Sequence, residues 1–239
     1  MKKLIVFVFA SFLISCSSDD GFENANGSVD KKYVTKTTTT GNGDSNVSTV
    51  TYDTNKKVLT ASDGEQIKYF TYRSDGSLEK ISGGGDNLFT SEVISTIYDA
   101  YEIGDILQYD SNGNPTVLEL YEDDYWSGER YVYTATISYD DKPFTFYHTL
   151  DAAGIIDVLN STQLNFGMAP SSPEIIMAKL LLPVNNPYRA IIKDEDNVEI
   201  GRVEVSYNYG TDKYPISSTV VINDDGYVDQ YSVLYEYLP

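Results

Sequence analysis

The single cysteine, Cys16, carries the clearest chemistry that the sequence offers. Two lysines precede an apolar run from Leu4 to Ile14, and the small residue Ser15 lies directly before the thiol. A charged start, a short apolar run and a small residue form an export signal, and a cysteine that follows can be alkylated by a diacylglyceryl group. The run is shorter than the ~20 apolar residues of a membrane-spanning helix. The sequence therefore predicts a signal peptide over residues 1–15 and lipidation at Cys16; the alternative is an ordinary secretory signal with a chance cysteine.

The residues that follow Cys16 are small and acidic. Ser17-Ser18-Asp19-Asp20 resembles the short export signal that sends Bacteroidota surface lipoproteins to the outer leaflet. The alternative is a flexible acidic tether, which the composition of Gly21 to Val29 favours. We predict a lipidated tether over residues 16–30, a palmitate-type anchor as the contact with the membrane, and an outer-membrane location. The domain is expected to face the cell surface, and the alternative is that it faces the periplasm.

His148 is the only histidine, and it limits the catalytic chemistry that the chain can perform. One histidine and one cysteine cannot supply a His–His metal site, and the sequence nominates no Ser-His-Asp or Cys-His arrangement. His148 ends the segment Phe144–His148, for which we predict a strand or a strand edge. We interpret it as a surface or hydrogen-bonded residue rather than a catalytic base. We predict no catalytic residue, no metal and no cofactor.

Acidic clusters recur along the chain. They are Glu122-Asp123-Asp124, Asp140-Asp141, Asp194-Glu195-Asp196 and Asp224-Asp225. Calcium prefers several oxygen ligands, but none of the clusters has the Asp-x-Asp-x-Asp-Gly spacing of a calcium loop. We interpret them as solvated turns at sheet edges. Two carboxylates that meet only in space could hydrolyse a glycosidic bond, so a hydrolase of extracellular polymer is the alternative function.

Tyr125 and Trp126 lie in a polar loop, where aromatic rings can stack on a sugar. The alternative is that Trp126 folds back onto the sheet, because large aromatic side chains are often mostly buried. Stacking is the sharper hypothesis, and it predicts a glycan or an envelope protein as partner.

The charge balance excludes other partners. The 239 residues carry a formal net charge of −19, which repels phosphate backbones and anionic headgroups. We therefore predict no nucleic-acid partner, and we expect the lipid rather than a basic patch to hold the protein at the membrane.

The elements that must position these residues are strands. Tyr131, Tyr133, Ala135, Ile137 and Tyr139 alternate with polar residues, which is typical of half-buried antiparallel strands. Turn dipeptides separate such runs, and several follow a tyrosine: Tyr72-Arg73-Ser74-Asp75-Gly76, Tyr109-Asp110-Ser111-Asn112-Gly113 and the weaker Tyr52-Asp53-Thr54-Asn55. The pattern predicts a β-meander of successive hairpins.

One region departs from this pattern. Pro173 to Leu182 predicts a short helix capped by Ser172, and Asp151 to Leu159 predicts a second one. The first is apolar nearly all round, so we expect it to be buried as a plug against the concave side or an open end of the sheet. The helical insert is predicted over residues 151–183.

The tyrosine-turn units resemble the YD repeats of large bacterial surface proteins. The second half, with Tyr139 to Phe144, Asn185-Asn186-Pro187 and Tyr214-Pro215, resembles a family of Bacteroidota lipoproteins of unknown function that is described as porin-like in fold. That family usually has another Asn-Pro pair between Pro143 and Phe144, which are adjacent here. The resemblance implies a curled antiparallel sheet and no known activity.

We predict an all-β fold with minor α content. It is one antiparallel meander over residues 31–239, curled toward an open or partial barrel. The predicted role is non-enzymatic, either binding of a glycan or protein partner or a structural role in the envelope.

Overall fold

The computed structural model describes residues 18–96, 98–99, 104–124, 126–165, 175–224 and 226–239. Cys16, the predicted signal and Tyr125 lie outside these residues. The helices are α1 Ser18–Asn26, α2 Thr90–Ser95, α3 Tyr147–Ala152, α4 Ile155–Ser161 and a 3-10 helix Ala178–Leu181. The strands are β1 Val34–Gly41, β2 Asp44–Tyr52, β3 Val58–Ser62, β4 Ile67–Tyr72, β5 Leu78–Gly83, β6 Asp86–Phe89, β7 Tyr98–Asp99, β8 Ile106–Tyr109, β9 Pro115–Asp123, β10 Arg130–Pro143, β11 Gln163–Asn165, β12 Ile175–Met177, β13 Asn185–Lys193, β14 Glu199–Tyr209, β15 Pro215–Asp224 and β16 Tyr227–Tyr237.

Thirteen of the described strands form one antiparallel sheet in the order β6-β5-β4-β3-β2-β1-β16-β15-β14-β13-β10-β9-β8. Successive strands of this sheet pair as antiparallel neighbours, with β10 pairing with β13 across the insert. β1 pairs with β16, so that the first and last described strands lie side by side in the middle of the sheet. β6 and β8 are its two edges, and the sheet is not closed into a barrel. A small second sheet has the order β12-β11-β7. The predicted all-β meander with an open sheet is confirmed.

The buried core lies at one end of the large sheet. Antiparallel pairing brings the first residues of β1, β3, β5, β9 and β15 to the same end, which we call the helical end. Val34, Val58 and Leu78 begin strands there and are almost fully buried. Helix α3 and the start of α4 cover this end, where Ala152 and Ala153 pack on Val58. The opposite end of the strands, which we call the free end, is more exposed: residues 227–230 of β16 are all exposed.

The predicted alternation of half-buried and exposed side chains is confirmed in β14 and only in part in β10, where Tyr131 is 42% exposed and Thr134 and Ser138 are half-buried. In β14, Val205, Tyr207 and Tyr209 are half-buried, whereas Ser206 and Asn208 are exposed. One face of each such strand packs and the other meets water, as antiparallel sheets allow.

Tyrosine hydroxyls link neighbouring strands at the helical end. Each donates a hydrogen bond to the carbonyl of a residue at or near the start of another strand: Tyr52 to Val34 (2.6 Å), Tyr72 to Val58 (2.8 Å), Tyr139 to Pro115 (2.9 Å), Tyr207 to Pro187 (3.0 Å) and Tyr237 to Pro215 (2.7 Å). A phenol covers apolar surface with its ring and satisfies a backbone carbonyl with its hydroxyl. This repeated arrangement accounts for part of the high tyrosine content.

The predicted helix over Pro173 to Leu182 is wrong in type. Ile175–Met177 forms strand β12, which pairs with β11, and only Ala178–Leu181 is helical, as a short 3-10 turn. A short apolar run can form either a helix or a strand, and here the pairing with β11 makes it a strand. The second predicted helix is confirmed in place but is divided into α3 and α4 by Ala153 and Gly154.

The flexible tether predicted for Gly21 to Val29 is also wrong. Ser18–Asn26 forms α1, and Phe22 is buried, with its ring stacked on Tyr147 at 4.1 Å. The side chain of Asn26 donates a hydrogen bond to the Val184 carbonyl at 3.0 Å. This segment is therefore part of the folded domain. Within the described residues, no helix is long and apolar enough to cross a membrane.

Candidate functional site

An apolar cavity of about 670 Å³ lies at the edge of the large sheet, between the β5–β6 hairpin and the helices. β5 and β6 form one wall, with Ile81 and Leu88, and α2 adds Val93. α4 forms the facing wall, with Val158 and Leu159. The small sheet and the 3-10 helix complete the lining. The volume falls within the ~300–1,000 Å³ of ordinary ligand pockets.

The cavity wall has almost no capacity for hydrogen bonding. Its described lining residues include two threonines and no charged side chain. The Thr90 hydroxyl is a donor that lies 2.7 Å from the Leu78 carbonyl and 3.0 Å from the Glu79 carbonyl. The Thr162 hydroxyl donates to the Val158 carbonyl at 2.8 Å. Because a hydroxyl has one proton, both donors are already used inside the fold. The wall therefore offers contact area and shape rather than polar recognition.

Gly154 lets α4 approach β5 closely enough to form this wall. Its φ of +72° lies in the left-handed region, which glycine adopts without strain. A Cβ at this position would lie 3.0 Å from the Cβ of Leu78. The glycine directly precedes α4, whose Ile155 and Leu159 line the cavity.

The predicted stacking site is remote from the cavity. Trp126 lies in the β9–β10 turn at the free end of the sheet and is 91% exposed, which rules out the alternative that it folds back onto the sheet. Its turn is held by Asp124, whose carboxylate accepts hydrogen bonds from the backbone N–H of Trp126 and of Ser127. Tyr125 and Cys16 lie outside the described residues, so stacking and lipidation stay predictions.

His148 differs from its predicted setting. It lies in helix α3 rather than in a strand, and it is buried, with the Phe22 ring at 4.8 Å and the Tyr147 ring at 5.6 Å. The predicted strand and the surface position are wrong, because Tyr147 and His148 lie in α3 and are buried against Phe22 of α1. The alternative of a hydrogen-bonded histidine stays a prediction. The histidine contributes to the aromatic core at the helical end.

Asp124 and the cluster Asp194-Glu195-Asp196 lie between strands, where carboxylates accept hydrogen bonds from backbone N–H groups. Asp140-Asp141 lies within β10, so the predicted turn is wrong there. Hydrogen bonds from the Ser127 backbone and side chain lower the pKa of Asp124. Asp194 accepts a hydrogen bond from the N–H of Val198 at 2.8 Å. In the described part of the chain, no group of three or more His, Cys, Asp or Glu residues is arranged to hold a metal ion.

One pair of carboxylates does meet in space. The Tyr121 hydroxyl lies 2.9 Å from Asp105 and 2.7 Å from Glu119, and it can donate its single proton to only one of them at a time. The pair raises the pKa of Tyr121, although desolvation is the larger cause. It lies at the β8–β9 edge of the sheet, whereas the cavity lies at the β5–β6 edge.

The cavity itself could not be nominated from the sequence. Its lining runs from Leu78 to Leu182, so the wall combines residues about a hundred positions apart. The available signal was the apolar character of Ile155 to Leu159 and of Ile175 to Leu182, and burial was predicted for the second of these segments. Instead of filling the space as a plug, the second segment lines it.

No protein-family model matches the sequence, and no curated protein sequence matches it. Solved structures give distant likenesses. A porin-like protein from Bacteroides vulgatus has a TM-score of 0.44 and 12% identity, over 87% of this chain and 100% of that chain. A porin-like protein from Bacteroides uniformis has a TM-score of 0.25 and 13% identity, over 85% and 84% of the two chains.

A putative outer-membrane lipoprotein-sorting protein domain from Vibrio parahaemolyticus has a TM-score of 0.27 and 7% identity, over 92% of this chain and 90% of that chain. The two Bacteroides structures carry the porin-like description that the sequence resemblance implied for the fold. At these values the likeness concerns the fold alone, and the lipoprotein and YD-repeat parts of the resemblance stay predictions.

Proposed function

We propose that the chain is a lipid-anchored protein of the outer membrane, with the domain on the cell surface, and that its role is non-enzymatic binding of an apolar ligand. The export signal and Cys16 support the anchor, and the acidic residues after Cys16 support the surface location. The observation that carries the binding role is the apolar cavity beside α4.

The chemistry of the cavity favours binding over catalysis. Its described lining has no carboxylate, imidazole, thiol or amine that could act as acid, base or nucleophile. Its threonine hydroxyls already donate to backbone carbonyls. Such a wall stabilises a ligand by removing apolar surface from water.

Trp126 supports a second binding surface. Its side chain is 91% exposed at the free end of the sheet, where an aromatic ring can contact a sugar or an envelope protein. The alternative function, a hydrolase of extracellular polymer, would rest on Asp105 and Glu119, which share the Tyr121 hydroxyl.

The test is binding of a neutral fluorescent probe, N-phenylnaphthylamine, to the mature chain, residues 16–239, with Cys16→Ser. A neutral probe avoids repulsion by the net charge of −19. Every helix and strand described, from Ser18 to Tyr237, is retained in this chain. We expect saturable binding at one site per chain, with a rise in fluorescence as the probe leaves water.

Val93→Asp should weaken probe binding at least tenfold, because it places a carboxylate on the apolar wall. The matched control is Val228→Asp, at a 64% exposed position in β16 far from the cavity, which should bind as the parent does. Circular dichroism checks that both variants fold. Equal binding by the two variants, or no binding by the parent, would contradict the proposal.

A further inference from the structure

The cavity discriminates between chemical classes of ligand. A sugar, peptide or nucleotide carries many donors and acceptors, and burying them against a wall with few polar partners is costly. Among the described lining residues, only Thr90, Thr162 and Tyr98 have polar side-chain atoms, and both threonine hydroxyls are already donating. The buried part of the ligand should therefore be hydrocarbon.

The volume of the cavity further limits the size of ligand that it can bind. A methylene occupies about the volume of a water in the liquid, about 30 Å³, so a chain of sixteen carbons needs roughly 480 Å³. The cavity of about 670 Å³ accommodates such a chain. A short apolar metabolite would leave most of the wall without contact.

Exposed apolar residues on the same elements indicate how such a ligand would arrive. Leu88 (49% exposed) and Tyr98 (38%) line the cavity and also reach solvent. Phe89, Ile94 and Leu180, on β6, α2 and the 3-10 helix, are each 40–44% exposed. Exposed apolar surface marks sites of contact with a protein, a membrane or a ligand. Beside an apolar cavity, it fits a ligand that arrives from a lipid phase.

We propose that the cavity binds a single long acyl chain, of about sixteen carbons, with the head group left in water at the mouth. This inference rests on the proposed binding function and names its ligand class. The chain lies against α4 and the β5–β6 hairpin, and its affinity comes from apolar burial. Because no charged side chain is among the described lining residues and the net charge of −19 repels an anion, the fatty alcohol should bind at least as tightly as the fatty acid of the same length.

The experiment is displacement of N-phenylnaphthylamine from the Cys16→Ser mature chain by saturated fatty acids of eight to twenty carbons. Each added methylene should tighten binding about fourfold, until the chain fills the cavity and the affinity reaches a plateau. Val93→Trp takes up the space of about three methylenes and should move the plateau to shorter chains by that number. Val228→Trp, the matched control, should leave the plateau unchanged.

Two arms distinguish the source of the chain. In one the fatty acid is free in solution; in the other, vesicles of neutral phosphatidylcholine carry a labelled acyl chain. Uptake from vesicles identifies a bilayer lipid as the ligand, and binding of the free acid alone identifies a free fatty acid; either result supports the inference.

The acyl inference is wrong, and the proposed apolar binding function stands, if the probe binds but free fatty acids do not displace it and no labelled chain is taken up from vesicles. The same conclusion follows if fatty acids of every length displace the probe equally. If the probe itself does not bind, both are wrong. A plateau that shifts equally in Val93→Trp and Val228→Trp would also overturn the inference, because the chain would then lie outside the cavity.

Discussion

At the scale of single residues, the buried tyrosine hydroxyls are the feature that most directly connects composition to stability. The Tyr52 hydroxyl donates to the Val34 carbonyl at 2.6 Å and lies 3.2 Å from the Thr149 hydroxyl, so it joins β1, β2 and α3. Burial raises the pKa of Tyr52 to about 12, and burial raises that of Tyr72 to about 12 as well. In the unfolded chain both titrate near ~10.

These pKa shifts predict an alkaline loss of stability. Between pH 10 and 12 the unfolded chain releases the Tyr52 proton while the folded chain keeps it, so the free energy of unfolding falls as the pH rises. Tyr52→Phe should cost roughly 1 kcal/mol at pH 8, because the Val34 carbonyl loses its donor. The variant should also lose stability less steeply from pH 10 to 12. Urea unfolding at pH 8, 10 and 12 measures both effects.

The control for Tyr52 is Tyr69→Phe, at a ring that is 51% exposed. Its free energy of unfolding at pH 8 should lie within about 0.5 kcal/mol of the parent. A Tyr52→Phe variant as stable as the parent at pH 8, with the same alkaline slope, would show that the hydroxyl does not stabilise the helical end.

At the scale of elements, α1 is the segment whose role changes most between sequence and structure. Phe22 stacks on Tyr147 and packs with Ile156 of α4. Phe22→Ala should lower the free energy of unfolding by about 3 kcal/mol, because truncating a buried phenylalanine leaves a cavity. Phe89→Ala, at a 40% exposed ring, is the matched control and should cost less than half as much. The midpoints of urea unfolding measure both effects. An unchanged midpoint for Phe22→Ala would mean that α1 does not stabilise the domain and behaves as the flexible tether that the composition predicted.

The sequence predicts local features of these elements well and distant ones poorly. The hairpin after Tyr109 is predictable because Asp110 and Gly113 form the turn within a few residues. The docking of α1 is not predictable, because the partners of Phe22 lie more than a hundred positions away. The strand Ile175–Met177 was predicted as helix for the same reason, since its pairing with β11 is not visible in its own residues. The cavity combines several such distant contacts.

At the scale of the whole molecule, burial is unevenly distributed along the strands. The helices cover the helical end, whereas the free end has few buried side chains: residues 227–230 of β16 are all exposed, and Tyr235 and Tyr237 of the same strand are half-buried. Opening the free end exposes little additional apolar surface, so it costs little free energy. The helical end can open only by disrupting its packing against other elements. The sheet should therefore open from the free end inward while the helical end stays folded.

Hydrogen exchange followed by mass spectrometry tests this order. Backbone amides in peptides from Tyr227 to Gln230 should exchange at least tenfold faster than those from Val233 to Tyr237. Both segments belong to β16, and the segment at the helical end has antiparallel partners on both sides. An acyl ligand should slow exchange in α4 and β5, which line the cavity, and leave residues 227–230 unchanged. Uniform protection along β16 would mean that the sheet opens only by global unfolding. In that case the free end, with the exposed Trp126, would be as rigid as the helical end.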